Sequence, residues 1–191
     1  MKVGLYFGSF NPIHHGHLII ASHVLSNTSL DQLWFVVSPQ NPLKPSASLL
    51  NEYHRLALVQ LAIEGETKMR AVDIEFKLPK PSYTIDTLTY LKEKYPGYEF
   101  SIIMGTDSYQ NLSKWKNHEL ILRDYSLYLY TRPGFVVKES ETSSRVTLLK
   151  APLLEISATL IRNNIREGKT IRYLVPDAVK EEIEKNAYYK S

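Results

Sequence analysis

A chain of 191 residues, 43% hydrophobic and 23% charged, can bury a core without disulfides or structural metal and is expected to form one domain over residues 1–191. The net charge of +3 suits an anionic small molecule and is too weak to indicate a nucleic-acid binder. No cysteine occurs, which excludes disulfide scaffolds, thiolate metal sites and cysteine nucleophiles, and fits a reducing cytoplasm.

The first residues enter a strand pattern at once, Val3-Gly4-Leu5-Tyr6-Phe7, so no secretion signal is expected. No apolar run approaches the length of a membrane span, and no membrane association is expected either. A Gly/Asn/Pro turn follows, then a helix from about 16 to 25 whose apolar face carries Leu18, Ala21 and Leu25, with Val24 beside them. Residues 33–37 are continuously apolar, as a strand buried on both faces should be. A proline-rich loop over 39–45 leads to a helix through Leu56, Val59, Gln60 and Ile63. Alternation over 71–76 predicts a further strand, ended by Pro79. Ser82-Tyr83-Thr84 opens a helix with Ile85, Leu88 and Leu91 inward, stopped by Pro96-Gly97. Residues 100–105 predict another buried strand, followed by a short helix and the Trp115 region. A strand over 127–130 ends at Thr131-Arg132-Pro133-Gly134, the polar stretch 135–145 reads as a mobile connection, and 146–149 is a last short strand. The C-terminal part, about 156–191, is helical: one helix is opened by Ser157 and another begins at Pro176 with Val179 and Ile183 inward.

Strands separated by helices imply right-handed crossovers and hence an α/β fold, a Rossmann-like open, mostly parallel sheet with helices on both faces. Ligands in such a fold sit beyond the carboxyl ends of the strands. The residues with chemistry to offer fall at those ends. Gly8-Ser9-Phe10-Asn11-Pro12-Ile13-His14-His15-Gly16-His17 joins the first strand to the first helix, where free N–H groups favour an anion. His14 and His17, three apart, share a face and suit a phosphate chain, whereas His15 points elsewhere. A zinc pair is the competing reading, but zinc needs a third protein ligand, and His23, His54 and His118 do not suggest one. In Ile156-Ser157-Ala158-Thr159-Leu160-Ile161-Arg162, Ser157 reads as an N-cap and Arg162 as a side chain able to fold back onto a phosphate. Gly168-Lys169-Thr170 mimics the end of a P-loop, but Asn163 stands where that loop needs glycine, so it reads as a helix C-cap.

GSFNPIHHGHL and ISATLIR resemble the paired (H/T)xGH and ISxTxxR signatures of the nucleotidyltransferase superfamily. With PSYT, GTDS, a tryptophan shortly after it and RPG, the set resembles the bacterial nicotinate-nucleotide adenylyltransferase family over about residues 1–179. Asn11 departs from the aspartate of many members, a turn substitution of little catalytic weight. The resemblance implies that His14, His17 and Arg162 are catalytic and that Gly8, Ser9 and Phe10 lie against the nucleotide. It further implies that Gly105 and Asp107 hold adenine and ribose, and that Ser157 and Thr159, beside Ile156, bind the outer phosphates. The implied partners are ATP, with magnesium as cofactor carried by the nucleotide and no metal ligands from the protein, and nicotinate mononucleotide. The implied reaction is in-line attack of the mononucleotide phosphate on the α-phosphorus, releasing pyrophosphate.

The residues make physical sense of that reaction. An already anionic phosphate needs no general base, and imidazolium, arginine and helix N-termini oppose the repulsion between anions. His17 is expected to be the deeper and more critical histidine. The N–H groups opening the helix at Ser82, Tyr83 and Thr84 would welcome a carboxylate over a carboxamide. Trp115 could stack on the pyridinium ring, and Lys44 and Arg132 are candidates for the mononucleotide phosphate. The rivals are another acceptor, either nicotinamide mononucleotide or phosphopantetheine, a non-catalytic adenine-nucleotide sensor, and a nucleic-acid module. A homo-oligomer is compatible with the sequence.

Overall fold

The computed structural model describes residues 1–40, 49–138, 143–152 and 155–190. The strands among them are β1 (Lys2–Gly8), β2 (Gln32–Val37), β3 (Met69–Val72), β4 (Glu99–Gly105), β5 (Ser126–Tyr130) and β6 (Val146–Leu149). They form a sheet in the order β3-β2-β1-β4-β5-β6, and every neighbouring pair is parallel. The helices are α1 (His15–Asn27), α2 (Glu52–Ala62), α3 (Thr84–Lys94), α4 (Thr106–Gln110), α5 (His118–Asp124), α6 (Ala158–Arg166) and α7 (Asp177–Lys185). The order reverses between β1 and β4, so connections leaving Gly8 and Gly105 diverge to opposite sides and open a crevice beyond those two residues.

Alternation along each strand feeds two apolar layers. Tyr6, Leu33, Phe35, Val37 and Ile103 face α1, α2, α6 and α7, which contribute Ile20, Val24, Leu58, Ile161, Val179 and Ile183. Val3, Leu5, Trp34, Val36 and Ile102 face α3 and α5, which contribute Ile85, Leu88, Leu91 and Ile121. Helices thus cover both faces, and the continuous apolar runs of β1, β2 and β4 follow from burial on both sides.

Several local expectations are corrected. In α1 the buried face is Gly16, Ile20, Ala21 and Val24, while Leu18 and Leu25 are only partly buried at its edge. β3 starts earlier and stops at Val72; Ile74–Lys77 is a 3₁₀ turn, where a strand was expected to continue to Phe76. That turn brings the Glu75 carboxylate inside, where Ser82 and Thr87 hydroxyls donate to it at 2.7 and 2.9 Å. The described part of the expected mobile connection is docked: Val137 is buried and the Val136 carbonyl accepts from Gln110. In α6, Gly168 at φ 66° does follow the helix end, as the C-cap reading requires.

The inward face of α2 carries Arg55, Leu58 and Val59, whereas Gln60 is exposed. Arg55 is fully enclosed and meets only carbonyls: Nε donates to Leu50 O at 2.7 Å, Nη1 to Ser9 O at 2.5 Å and Ser38 O at 2.8 Å, and Nη2 to Pro39 O at 3.1 Å. Burial pulls its pKa below the usual arginine value. Arg55→Met leaves those acceptors without donors and should lower stability by about 3 kcal/mol or more. The check is the urea midpoint, which should fall at constant slope; a midpoint equal to the parent's would show that the clamp is dispensable.

Candidate active site

The crevice holds two adjoining chambers. The first, of about 470 Å³, is lined by Gly8, Ser9 and Phe10 after β1, His14 and His17 of the α1 start, and Ile156, Ser157, Thr159 and Arg162 of the α6 start. The second, of about 710 Å³, is lined by Gly105, Glu75, Ser82, Tyr83, Thr84 and Trp115. Gly8, Ser9, Asp107, Ser108, Tyr6 and Tyr130 belong to both, so the chambers communicate where β1 and β4 end.

Most of the sequence-predicted residues come together here, with three differences. Arg132, expected at the mononucleotide phosphate, lines the histidine chamber; its backbone N–H donates to the Thr106 hydroxyl, and its Nε lies 4.0 Å from Asp107. Gly105, expected at the adenine, lines the second chamber. Lys44 lies outside the described residues.

At the α1 start the backbone is not the main anion donor. Three of the first four N–H groups already meet carbonyls: His15 reaches Leu174, while His17 and Leu18 reach His14. The imidazoles of His14 and His17 line the chamber beside this helix start. His14 and His17 stack with ring centroids 3.7 Å apart at 25°, and Phe10 meets His17 edge-on at 5.1 Å. Phe10 itself has φ 46°, a left-handed conformation, and is held there by edge contacts to Tyr6 and Phe35. Gly16 is required by close approach: a Cβ there would sit 2.9 Å from His14 Nδ1. His14, the N-cap residue, is the more enclosed of the pair, against the expectation for His17. Burial first, then the charges of Arg132 and His15, lower its pKa from 6.5 to about 4. His14 is thus neutral near pH 7, where imidazolium was expected.

Across the chamber, Ser157 caps α6 by accepting from Leu160 N–H at 3.2 Å, and the next two residues, Ala158 and Thr159, line the cavity. Arg162 spans the two motifs: Nη1 donates to Asn11 O at 2.8 Å and Nη2 to Thr159 Oγ1 at 3.3 Å. The Asn11 side chain accepts from Leu50 N–H, so its backbone carbonyl, available from any residue, is what anchors Arg162. Among the described residues the chamber therefore gathers two guanidinium groups and two imidazoles around one rim carboxylate, Asp107.

In the second chamber the Ser82 hydroxyl is buried and donates to Glu75, whose own pKa burial raises. At the start of α3, Asp86 and Thr87 N–H groups donate to Tyr83 O, and Lys116 sits 5.0 Å over the Tyr83 ring while pairing with Asp86. Trp115 is half-buried at the wall. Arg55, Glu75 and the Tyr6–Tyr130 hydroxyl pair at 3.1 Å were missed from the sequence, since each reads there as an ordinary surface or core residue.

A doubly wound sheet whose switch point holds a cationic chamber defines a nucleotide-handling α/β enzyme, and the cytidylyltransferase-like family model matches residues 5–164. A Cytophaga hutchinsonii protein named "Probable nicotinate-nucleotide adenylyltransferase" is 53% identical over 191 residues, with all of both chains covered. One of the same name from Flavobacterium johnsoniae is 52% identical over 192 residues, again with full coverage. The fold is shared with Plasmodium falciparum nicotinic acid mononucleotide adenylyltransferase complexed with NaAD, at TM-score 0.83 and 22% identity, covering 98% of this chain and 97% of that one. The chain belongs to the nicotinate-nucleotide adenylyltransferase family of cytidylyltransferase-like enzymes.

The lowered pKa of His14 has a consequence for stability. Between about pH 6.5 and 4 the unfolded chain takes up a proton that the folded chain refuses, so this contribution is fully present above 6.5 and is lost as pH falls toward 4. The loss should approach about 3 kcal/mol. Melting temperatures from pH 7 to 4.5 should fall more steeply for the parent than for His14→Asn; parallel curves would contradict the shift.

Proposed function

We propose that this chain transfers the adenylyl group of magnesium-ATP to nicotinate mononucleotide, giving nicotinate adenine dinucleotide and pyrophosphate. The observation that carries the reading is the joining of a cationic chamber to a second chamber headed by the α3 N-terminus, at Gly8, Ser9, Asp107 and Ser108. The names of the relatives agree with it. The proposal assigns one domain to residues 1–191 and the cytoplasm as the working compartment; among the described residues no helix is long and apolar enough to cross a membrane.

In this reading His14, His17, Thr159, Arg162 and the α6 start bind the triphosphate. Arg132 joins them, since it lines their chamber. Asp107, common to both chambers, takes the ribose. Ser82, Tyr83, Thr84 and Trp115 receive the pyridine ring. Magnesium enters as part of the nucleotide substrate, bound to its phosphates. The mononucleotide phosphate attacks the α-phosphorus in line; that P–O bond forms as the bond to pyrophosphate breaks. No base is needed, because the nucleophile is already an anion. The protein aligns two anions and stabilises charge on the leaving group, the terms that dominate phosphoryl-type transfer. Neutral His14 can offer one ring N–H to a phosphate, and the triphosphate's charge would favour a second proton on the ring.

Arg162→Ala and His17→Ala should each lower the rate of pyrophosphate release about 10²–10³-fold with the fold retained. Full turnover in either variant would remove that side chain from the mechanism. Independently, kcat/KM for nicotinate mononucleotide should exceed that for the amide, measured by the same pyrophosphate assay; equal values would overturn the assignment of the acceptor.

A further inference from the structure

Beyond α7 the chain turns back on itself. Ala187 and Tyr189 adopt left-handed backbone with φ of 52° and 65°, Tyr188 N–H donates to Ile183 O at 3.0 Å, and the Tyr188 hydroxyl meets His54 Nδ1 of α2 at 2.9 Å. This turn drives the Tyr189 ring into the apolar layer that contains Ile161 of α6 and Ile183 of α7, leaving it 9% exposed. The Tyr189 hydroxyl is buried there without a hydrogen-bond partner among the described residues. So is Arg162 Nε, although both ends of that guanidinium are engaged, by Asn11 O and Thr159 Oγ1. Two buried orphans of complementary kind, a donor and an acceptor, thus lie on elements packed in one layer, and the phenol and the guanidinium interact electrostatically. Arg55 also acts on this phenol, but four of its five N–H hydrogens already meet carbonyls and each of its nitrogens has a partner, which Arg162 Nε lacks.

We propose that Tyr189 is a positioning residue for Arg162, its hydroxyl oxygen accepting from Nε when the guanidinium closes on a phosphate. Held at Nε, at one Nη1 hydrogen and at one Nη2 hydrogen, the side chain presents its two remaining hydrogens to the chamber as a fixed fork. A fork fixed beforehand loses less freedom on binding, and the benefit falls on the triphosphate and not on the acceptor. Burial keeps the phenol neutral, so the hydroxyl remains an acceptor at any working pH. The inference rests on the phosphate-binding role given to Arg162 above.

Tyr189→Phe keeps the ring and its packing and removes only the acceptor. Steady-state kinetics of the full chain with magnesium-ATP and nicotinate mononucleotide should show KM for ATP raised about 10-fold or more, the size of one charge-assisted hydrogen bond. KM for the mononucleotide should not move, and the melting temperature should not fall, since the hydroxyl removed is buried without a partner among the described residues. In an Arg162→Lys background, which keeps the charge and lacks Nε, Tyr189→Phe should change nothing further. An unchanged KM for ATP in Tyr189→Phe overturns the proposal, as does an effect equally large in the Arg162→Lys background. A joint rise of both KM values with a lowered melting temperature also overturns it, since that is packing damage. Parent-like activity in Arg162→Ala identifies the underlying phosphate reading as the failure, whatever Tyr189→Phe does.

Discussion

The cleft depends on one buried guanidinium. A parallel sheet ends in loops whose carbonyls have left the ladder, and at the switch point those loops pack against each other and cannot all reach water. Arg55 answers for three of these stretches: Ser9 after β1, Ser38 and Pro39 after β2, and Leu50 before α2. Five hydrogens in a rigid fork suit that task, and a lysine could not satisfy the same directions. The hydrogen-bond partners of Arg55 are dipoles with no carboxylate among them, and the more exposed Glu52 offsets only part of its charge. Arg55 lies beneath the loop that carries Ser9 and Phe10, so its field adds to that of Arg132 and Arg162 above it. A structural clamp and an electrostatic contribution to the anion site are therefore the same side chain.

The histidine pair shows how burial sets charge at such a site. His14 stacks on His17 with centroids 3.7 Å apart, and burial, then the charges of Arg132 and His15, keep its imidazole neutral. Gly16 makes that enclosure possible by leaving room beside Nδ1. The chamber is thus less positive than a count of its side chains implies, its charge near pH 7 resting on Arg132 and Arg162. On the proposed function, a triphosphate entering it would make a second proton on His14 favourable and so add to that charge. The same response would oppose the release of pyrophosphate, and the openness of the chamber toward Asp107 and Arg132, both well exposed, lets solvent moderate it.

Much of this was legible in the sequence because continuous apolar runs and the Gly/Asn/Pro turn leave little freedom: β1, β2, β4 and β5 fall where expected, as do the cap at Ser157 and the grouping of the histidine and Ser157–Arg162 motifs in one cavity. The illegible parts share a cause. Ala71–Val72 followed by Asp-Ile-Glu-Phe alternates as a strand does, yet Glu75 is turned inward because hydroxyls from Ser82 and Thr87 await it, a contact made across the start of α3. Arg55 reads as the polar side of α2, and its four acceptors lie 5 to 46 residues away. Tyr189 reads as a tail residue until the turn after α7 carries it under α6. Periodicity reports which face is apolar; it cannot report a polar side chain whose partners are backbone carbonyls or distant hydroxyls.

Glu75 also bears on how an acid is told from an amide in the second chamber. The single Ser82 proton is committed to Glu75, so toward a ligand that hydroxyl offers only lone pairs, which would favour an amide NH₂ over a carboxylate. Discrimination in favour of the acid must then come from donors that remain at the start of α3. Asp86 and Thr87 N–H groups are engaged with Tyr83 O, which leaves those of Thr84 and Ile85, together with the Thr84 hydroxyl. Two backbone N–H groups aimed along a helix axis favour a carboxylate by charge as well as by geometry, and a carboxamide can satisfy them only through its single oxygen. By accepting from Ser82 and Thr87, Glu75 fixes the first turn of α3, and on the proposed function it would thereby set the orientation of those donors even though its own charge is of the wrong sign to attract the substrate.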